Sequence, residues 1–152
     1  MNGVLFNEDI RRSEDRDLSI RIYLESNARF AFSEKITGTY YRHENSLTSD
    51  STLNSLHTTI DHIKIFSGYL DDLPLNNAST DRLKNLLYNR HLQASYYYRK
   101  LNCHRLAVAS IRSSFRYKVG LLQFTELGKT AISYLACKFG LRAGEEGPTS
   151  AS

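Results

Sequence analysis

Along the second two-thirds of the chain, apolar residues recur at intervals of three, four and seven. Leu53, Leu56, Ile60, Ile63 and Leu70 set one such stripe and predict an amphipathic helix over 53–71. Residues 73–78, with Pro74 and Asn76-Asn77, read as a connector. Ser79-Thr80-Asp81 then predicts the cap of a second helix carried by Leu83, Leu86, Leu87, Ala94, Tyr97 and Leu101. Asn102-Cys103 interrupts the pattern. A third helix is expected over 104–117, with Leu106, Ala109 and Phe115 among its apolar positions, and a fourth over 126–139, stopped by Gly140. The third and fourth have the size of one tetratricopeptide-like helix pair; a single unit is too little for a solenoid, but it suffices to pack on a neighbouring domain.

The first 50 residues read differently. Ser13 is a natural N-cap, and Glu14, Asp15 and Asp17 fall in a first helical turn, where negative charge complements the helix dipole. Leu18, Ile22 and Tyr23 mark the buried stripe of a helix reaching Glu25. Residues 29–33 alternate, with Phe30 and Phe32 on one side, and 36–42 are rich in β-branched and aromatic residues; both predict short strands. Residues 43–50 are polar and read as a loop. The expected fold is therefore α+β but mostly α: one helix and two short strands over 1–50, then a helical extension over 51–142. The tail 143–152 is expected to be disordered, since its composition offers nothing to bury.

Composition narrows the function classes. The 152 residues, 41% hydrophobic and 24% charged, suit a globular chain. The N-terminus has no apolar core of a signal peptide. The longest candidate membrane segment, 119–141, is broken by Gln123, Glu126, Lys129 and Lys138. Cys103 and Cys137 stand outside any ligand spacing and read as free thiols in a reducing compartment. Residues 1–50 carry a net charge of −2 and the remainder +6, and Glu126 is the single acid in 82–142 among twelve basic residues. Such a face suits an anionic membrane or a nucleic acid, or is a solvated surface offset by acidic partners elsewhere in a larger protein. Tyr96-Tyr97-Tyr98 among Arg90, Arg99 and Lys100 offers stacking groups, but a helix puts only one or two of them on one face, so core and boundary packing is the simpler reading and a nucleic-acid partner is not expected.

Candidate chemistry gathers in the first 50 residues. Glu14 and Asp15 can supply a general base and a group that orients it, although neighbours on a helix diverge by about 100° and at most one can face a given atom. As plain first-turn carboxylates they need no further role. His43 in its polar loop can meet a metal or a phosphate, and Arg42 beside it a diphosphate; each also reads as a surface residue. The remaining histidines show no metal-ligand spacing, and no phosphate-binding glycine loop or nucleophile elbow occurs.

The order of these signals is more specific than any one of them. Gly3-x-x-Phe6-Asn7-Glu8, then Glu14-Asp15-x-Asp17-Leu18-x-x-Arg21, then Tyr40-x-x-His43-x-x-Ser46-x-Thr48 resembles the C-terminal part of family 2 glycosyltransferases of the GT-A fold. That family reads G-x-F-[DN]-E, E-D-[WY]-D-L-x-x-R and Y-R-x-H-x-x-S-x-[ST]. The resemblance covers about residues 3–50, and the helices to about 142 look like the extension that bacterial members carry. Arg16 stands where the family has an aromatic residue, and Tyr41 where it has Arg, with Arg42 one position on.

The resemblance implies inverting transfer of a sugar from a nucleotide-diphosphate donor to an acceptor hydroxyl of a glycan or lipid-linked acceptor. It implies Asp15 as the general base, Glu14 as its support or an acceptor contact, and Glu8 and Arg16 on the acceptor side. It places Arg42 and His43 near the donor diphosphate, with His43 as a candidate ligand of a divalent cation, Mg²⁺ or Mn²⁺. The family's main metal ligands form an Asp-x-Asp motif in a donor-binding half upstream of this region; Asp15-Arg16-Asp17 spells those letters but belongs to the helix-start motif. The chain is thus expected to be the C-terminal portion of such an enzyme, inactive in isolation, and cytoplasmic or peripheral at the inner membrane face. The competing expectation is a non-catalytic, basic helical module that docks on a membrane surface or a partner protein.

Overall fold

The computed structural model describes residues 5–10, 12–26, 35 and 51–140. Among them are five helices: α1 (Glu14–Ser26), α2 (Thr52–Asp72), α3 (Asn77–Lys100), α4 (His104–Ser114) and α5 (Leu121–Lys138).

Each helix boundary follows from local chemistry. Ser51 caps α2, its side chain accepting the Asn54 N–H at 3.0 Å. At the far end Leu73 is extended (φ −104°, ψ 140°), the backbone that a residue preceding Pro74 adopts. Asn76 caps α3 by accepting the Ser79 N–H at 2.8 Å, so this helix starts two residues ahead of the expected Ser79. Asn102 ends the α3 turn in the left-handed region, φ 59°. Its N–H reaches Arg99 O at 3.1 Å, and the Cys103 N–H reaches Tyr98 O at 2.8 Å. These two bonds form a Schellman stop that reverses the chain directly into α4. Gly140, at φ +66°, ends α5 as expected.

The core lies where α2, α3 and α4 meet, and it is small. Leu56 and Ile65 come from α2, Leu87, Tyr88 and Ala94 from α3, and Ala107 and Ile111 from α4. The seam between α3 and α4 is lined by Ala94, Ser95, Ala107, Ser110 and Ser114, all small and buried, which lets the two helices approach closely. Ser110 Oγ donates across it to His91 O at 2.9 Å. α3 packs along both α2 and α4, and α5 packs on α4 and α3.

α5 packs with its polar side inward. Gln123 and Thr130 are its fully buried residues, with Glu126 and Ser133 beside them. Gln123 Nε2 donates to Ser114 Oγ (3.0 Å) and Lys118 O (2.7 Å), while its Oε1 accepts the Gly120 N–H (2.6 Å). That last bond caps the helix start at Gly120 and explains why α5 begins five residues before the expected Glu126. Arg99 Nη1 bridges α3 to Glu126 Oε2 at 2.7 Å, and His104 Nε2 lies 3.2 Å from Ser133 Oγ.

The α+β expectation is corrected. The described residues contain no strand, and their backbone hydrogen bonds close within helices, caps and turns while the core forms between helix faces. The segments expected as strands, 29–33 and 36–42, the loop 43–50 and the tail 143–152 lie outside the described residues.

Candidate functional site

The segment that carries the first two motifs lies along α2. Asn7 opens a tight turn: its carbonyl accepts the Ile10 N–H and its Oδ1 accepts the Asp9 N–H, both at 3.0 Å. The turn buries Ile10 and leaves Phe6 and Glu8 at the surface. Lys64 of α2 holds it by donating to Asp9 O at 3.0 Å. Next, Arg12 donates its N–H to Asp61 Oδ2 (2.8 Å) and its guanidinium to Asn54 Oδ1 (2.6 Å). These contacts account for a buried aspartate in the middle of α2.

Within α1 the motif residues divide by environment. Asp17 is buried, and three bonds fix it in place. Arg21 Nε pairs with its Oδ2 at 2.9 Å, Tyr69 Oη donates to its Oδ1 at 2.9 Å, and its N–H reaches Ser13 O at 3.0 Å. Arg21 also donates to Leu5 O, tying the start of the segment to α1. The Asp17-Leu18-x-x-Arg21 spacing is thus an i, i+4 ion pair on one helix face. Asp15, two residues earlier, points to solvent; its Oδ1 accepts only its neighbour's N–H, from Arg16 at 2.8 Å. Glu14 Oε2 is buried and has no hydrogen-bond partner.

Arg16 reaches α2, its Nη1 lying 2.9 Å from His62 Nε2. A guanidinium only donates, so Nε2 accepts and the ring proton sits on Nδ1, which is buried without a partner. Burial, reinforced by the nearby Arg90 and Arg16 cations and opposed by Asp61, lowers the His62 pKa from 6.5 to about 4. His62 is therefore neutral at pH 7.

A cleft of about 390 Å³ opens between the turn, α1 and α2, lined among others by Asn7, Asp9, Asp17, Arg21, Lys64 and Tyr69. A second, of about 450 Å³, lies over α2, α3 and α4, with Asp71, His91, Arg116 and Tyr117 in its wall. The structure brings Arg16 to His62 and leaves Asp15 and Glu8 exposed to solvent. Glu14 and Asp15 line neither of these two clefts. Arg42 and His43 lie outside the described residues. Tyr69, Arg12 and Asp61 do not figure in the sequence expectations, and His62 does so only among the histidines without metal-ligand spacing. The one signal that marked them is Asp61-His62, a polar pair set between Ile60 and Ile63 in an apolar run.

Among the described residues no three His, Cys, Asp or Glu side chains converge. Asp15 and Asp17 point to solvent and to Tyr69 respectively, so the pair cannot chelate one ion. Among the described residues no helix is long and apolar enough to cross a membrane. Both cysteines are free and exposed. No family model, curated protein or solved structure matches the chain.

Proposed function

We propose that the chain is the C-terminal portion of an inverting glycosyltransferase that moves a sugar from a nucleotide-diphosphate donor to an acceptor hydroxyl. The acceptor class is a glycan or lipid-linked glycan of the cell surface, handled on the cytoplasmic side of the membrane. The observation that carries this reading is the split between Asp17 and Asp15. Asp17 is consumed in anchoring the helix start through Arg21 and Tyr69. Asp15 is held in place by that anchor yet keeps an exposed carboxylate, the state a general base needs before an acceptor arrives. Spacing alone cannot separate a catalytic carboxylate from a dipole-complementing one; here two acids of one motif have different work, and the motif Glu14-Asp15-x-Asp17-Leu18-x-x-Arg21 gains a physical reason for its length.

In this reading Asp15 takes the proton from the acceptor oxygen as that oxygen attacks the anomeric carbon, and the nucleoside diphosphate leaves from the opposite face. Arg16 and Glu8 lie on the acceptor side. Arg42, His43 and a divalent cation serve the leaving diphosphate, with the principal metal ligands supplied from a donor-binding part outside this sequence. The described residues route no step through that ion.

The test is to express the reading frame upstream of Met1 joined to this chain and to measure nucleoside diphosphate released from a panel of nucleotide sugars with Mn²⁺ or Mg²⁺. Turnover that needs both parts is the expected result. An upstream frame without a nucleotide-sugar-binding part, or a joined protein that turns over no donor, overturns the reading.

A further inference from the structure

We infer that α5 docks the protein on an anionic lipid surface, lying in the plane of the headgroups. The observation is an inversion. Leu121, Phe124, Gly128, Ile132, Leu135 and Phe139 follow one another at intervals of three and four, which places them on a single helix face. In an edge helix of a water-soluble bundle that face turns inward. Here it turns outward: Leu121 is 81% exposed, Ile132 69% and Phe139 66%. The inward face carries Gln123, Glu126, Thr130 and Ser133, whose hydrogen bonds hold the helix to α3 and α4, while at its margins Phe124 meets Phe115 and Tyr134 meets His104 edge to face. Leu122 and Val119 widen the outward stripe. A contiguous apolar ridge of this kind marks a surface made for contact.

Charge decides what covers it. Lys129 and Lys138 flank the stripe and Lys118 sits just before it, all exposed. Glu126 is the single acid in 82–142, and it lies on the inward face between Arg99 and Lys129, both at 2.7 Å. A second copy docking by the same face gathers Lys118, Lys129 and Lys138 of both chains along one seam, with Glu126 already taken up by Arg99 and no other acid on α5 to match them. An anionic bilayer instead takes the apolar side chains into its acyl boundary and the lysines at its phosphates. The helix is too polar on its inner side to cross, so it lies on the surface. This inference rests on α5 alone and stands whether or not the sugar-transfer reading does.

The 152-residue chain is mixed with sedimentable vesicles of phosphatidylcholine, with or without about one-third phosphatidylglycerol, across about 0.05 to 0.5 M salt. Binding that requires phosphatidylglycerol and falls with salt is expected. Ile132→Ser with Leu135→Ser should weaken it at least about tenfold, and Lys129→Gln with Lys138→Gln about tenfold with a shallower salt dependence. Ile132, Leu135 and Lys138 are exposed, so their replacement should leave the unfolding temperature unchanged. Lys129→Gln also removes its 2.7 Å pair with Glu126. Lys138→Gln alone, expected to weaken binding about fivefold, therefore tests the charge contribution free of that effect and of any folding defect in the apolar pair. Equal binding to pure phosphatidylcholine overturns it. So does an absence of vesicle binding together with a dimer in sedimentation that the Ile132→Ser, Leu135→Ser protein no longer forms.

Discussion

Tyr69 of α2 donates its hydroxyl to Asp17 of α1 at 2.9 Å, fifty-two residues along the chain. With the Arg21 pair it converts a first-turn carboxylate into the attachment point of the whole N-terminal segment. Hydrogen bonds to a charged, buried acceptor contribute about 1.5–3 kcal/mol each. Tyr69→Phe is therefore expected to lower stability by about 2 kcal/mol in chemical unfolding, and to speed amide exchange in α1 more than in α4.

His62 gives the protein a pH dependence of defined sign. Its folded pKa of about 4 lies below the 6.5 of an unfolded histidine, so the unfolded chain binds an extra proton between those values. Stability falls as pH drops through that window and is regained as pH rises, by up to about 3 kcal/mol. His91 is lowered by burial as well and contributes in the same direction. Subtracting His62→Gln from the wild type in urea titrations from pH 7 to pH 4 isolates the His62 share; the difference between the two proteins should shrink as pH falls.

Glu126 is the electrostatic pin of α5. Charged hydrogen bonds from Lys129 and Arg99, outweighing burial, lower its pKa. Glu126→Gln leaves Arg99 half-buried and without its carboxylate, at an expected cost of about 1–3 kcal/mol. Hydrogen exchange should show α5 opening sooner while α3 and α4 keep their protection.

The α3–α4 reversal depends on Asn102 at φ 59°. Asn102→Gly should be neutral or slightly stabilising, because it removes the Cβ that crowds the left-handed backbone, and Asn102→Ala should cost about 1 kcal/mol, because it keeps that Cβ and loses the short polar side chain that eases the conformation. Thermal unfolding of the two variants separates them.

Much of this was legible in the chain because it is local. The Ser13-Glu14-Asp15-Asp17 start, the extent of α2, the Asn102-Cys103 break and the Gly140 stop all depend on neighbours within one or two turns. The buried face of α2 does not, since of its expected stripe only Leu56 is buried and Thr59, Asp61, His62 and Ile65 join it. Helix starts drifted where a less obvious cap won: Asn76 for α3 and the Gln123–Gly120 bond for α5. The α+β fold class rested on the segments 29–33 and 36–42, which lie outside the described residues, whereas the described core is assembled from helix faces and the turn residue Ile10. The candidate site was legible in its motif letters but not in its division of labour. Asp17 and Asp15 look alike in sequence; Tyr69, fifty-two residues away, distinguishes them. The inversion of α5 was hidden for a related reason. Periodicity finds an apolar face, but only the partners Arg99, His104 and Ser114 show which face turns inward.

The most direct test compares Asp15→Asn with Asp17→Asn in the protein joined to its upstream part. Asp15→Asn is predicted to cut sugar transfer by about 10² to 10⁴ at unchanged unfolding temperature and donor KM, the range for loss of a general base. Asp17→Asn is predicted to lower the unfolding temperature, its activity recovering on cooling. Retention of more than about a tenth of the turnover by Asp15→Asn would contradict the assignment of Asp15 as the base.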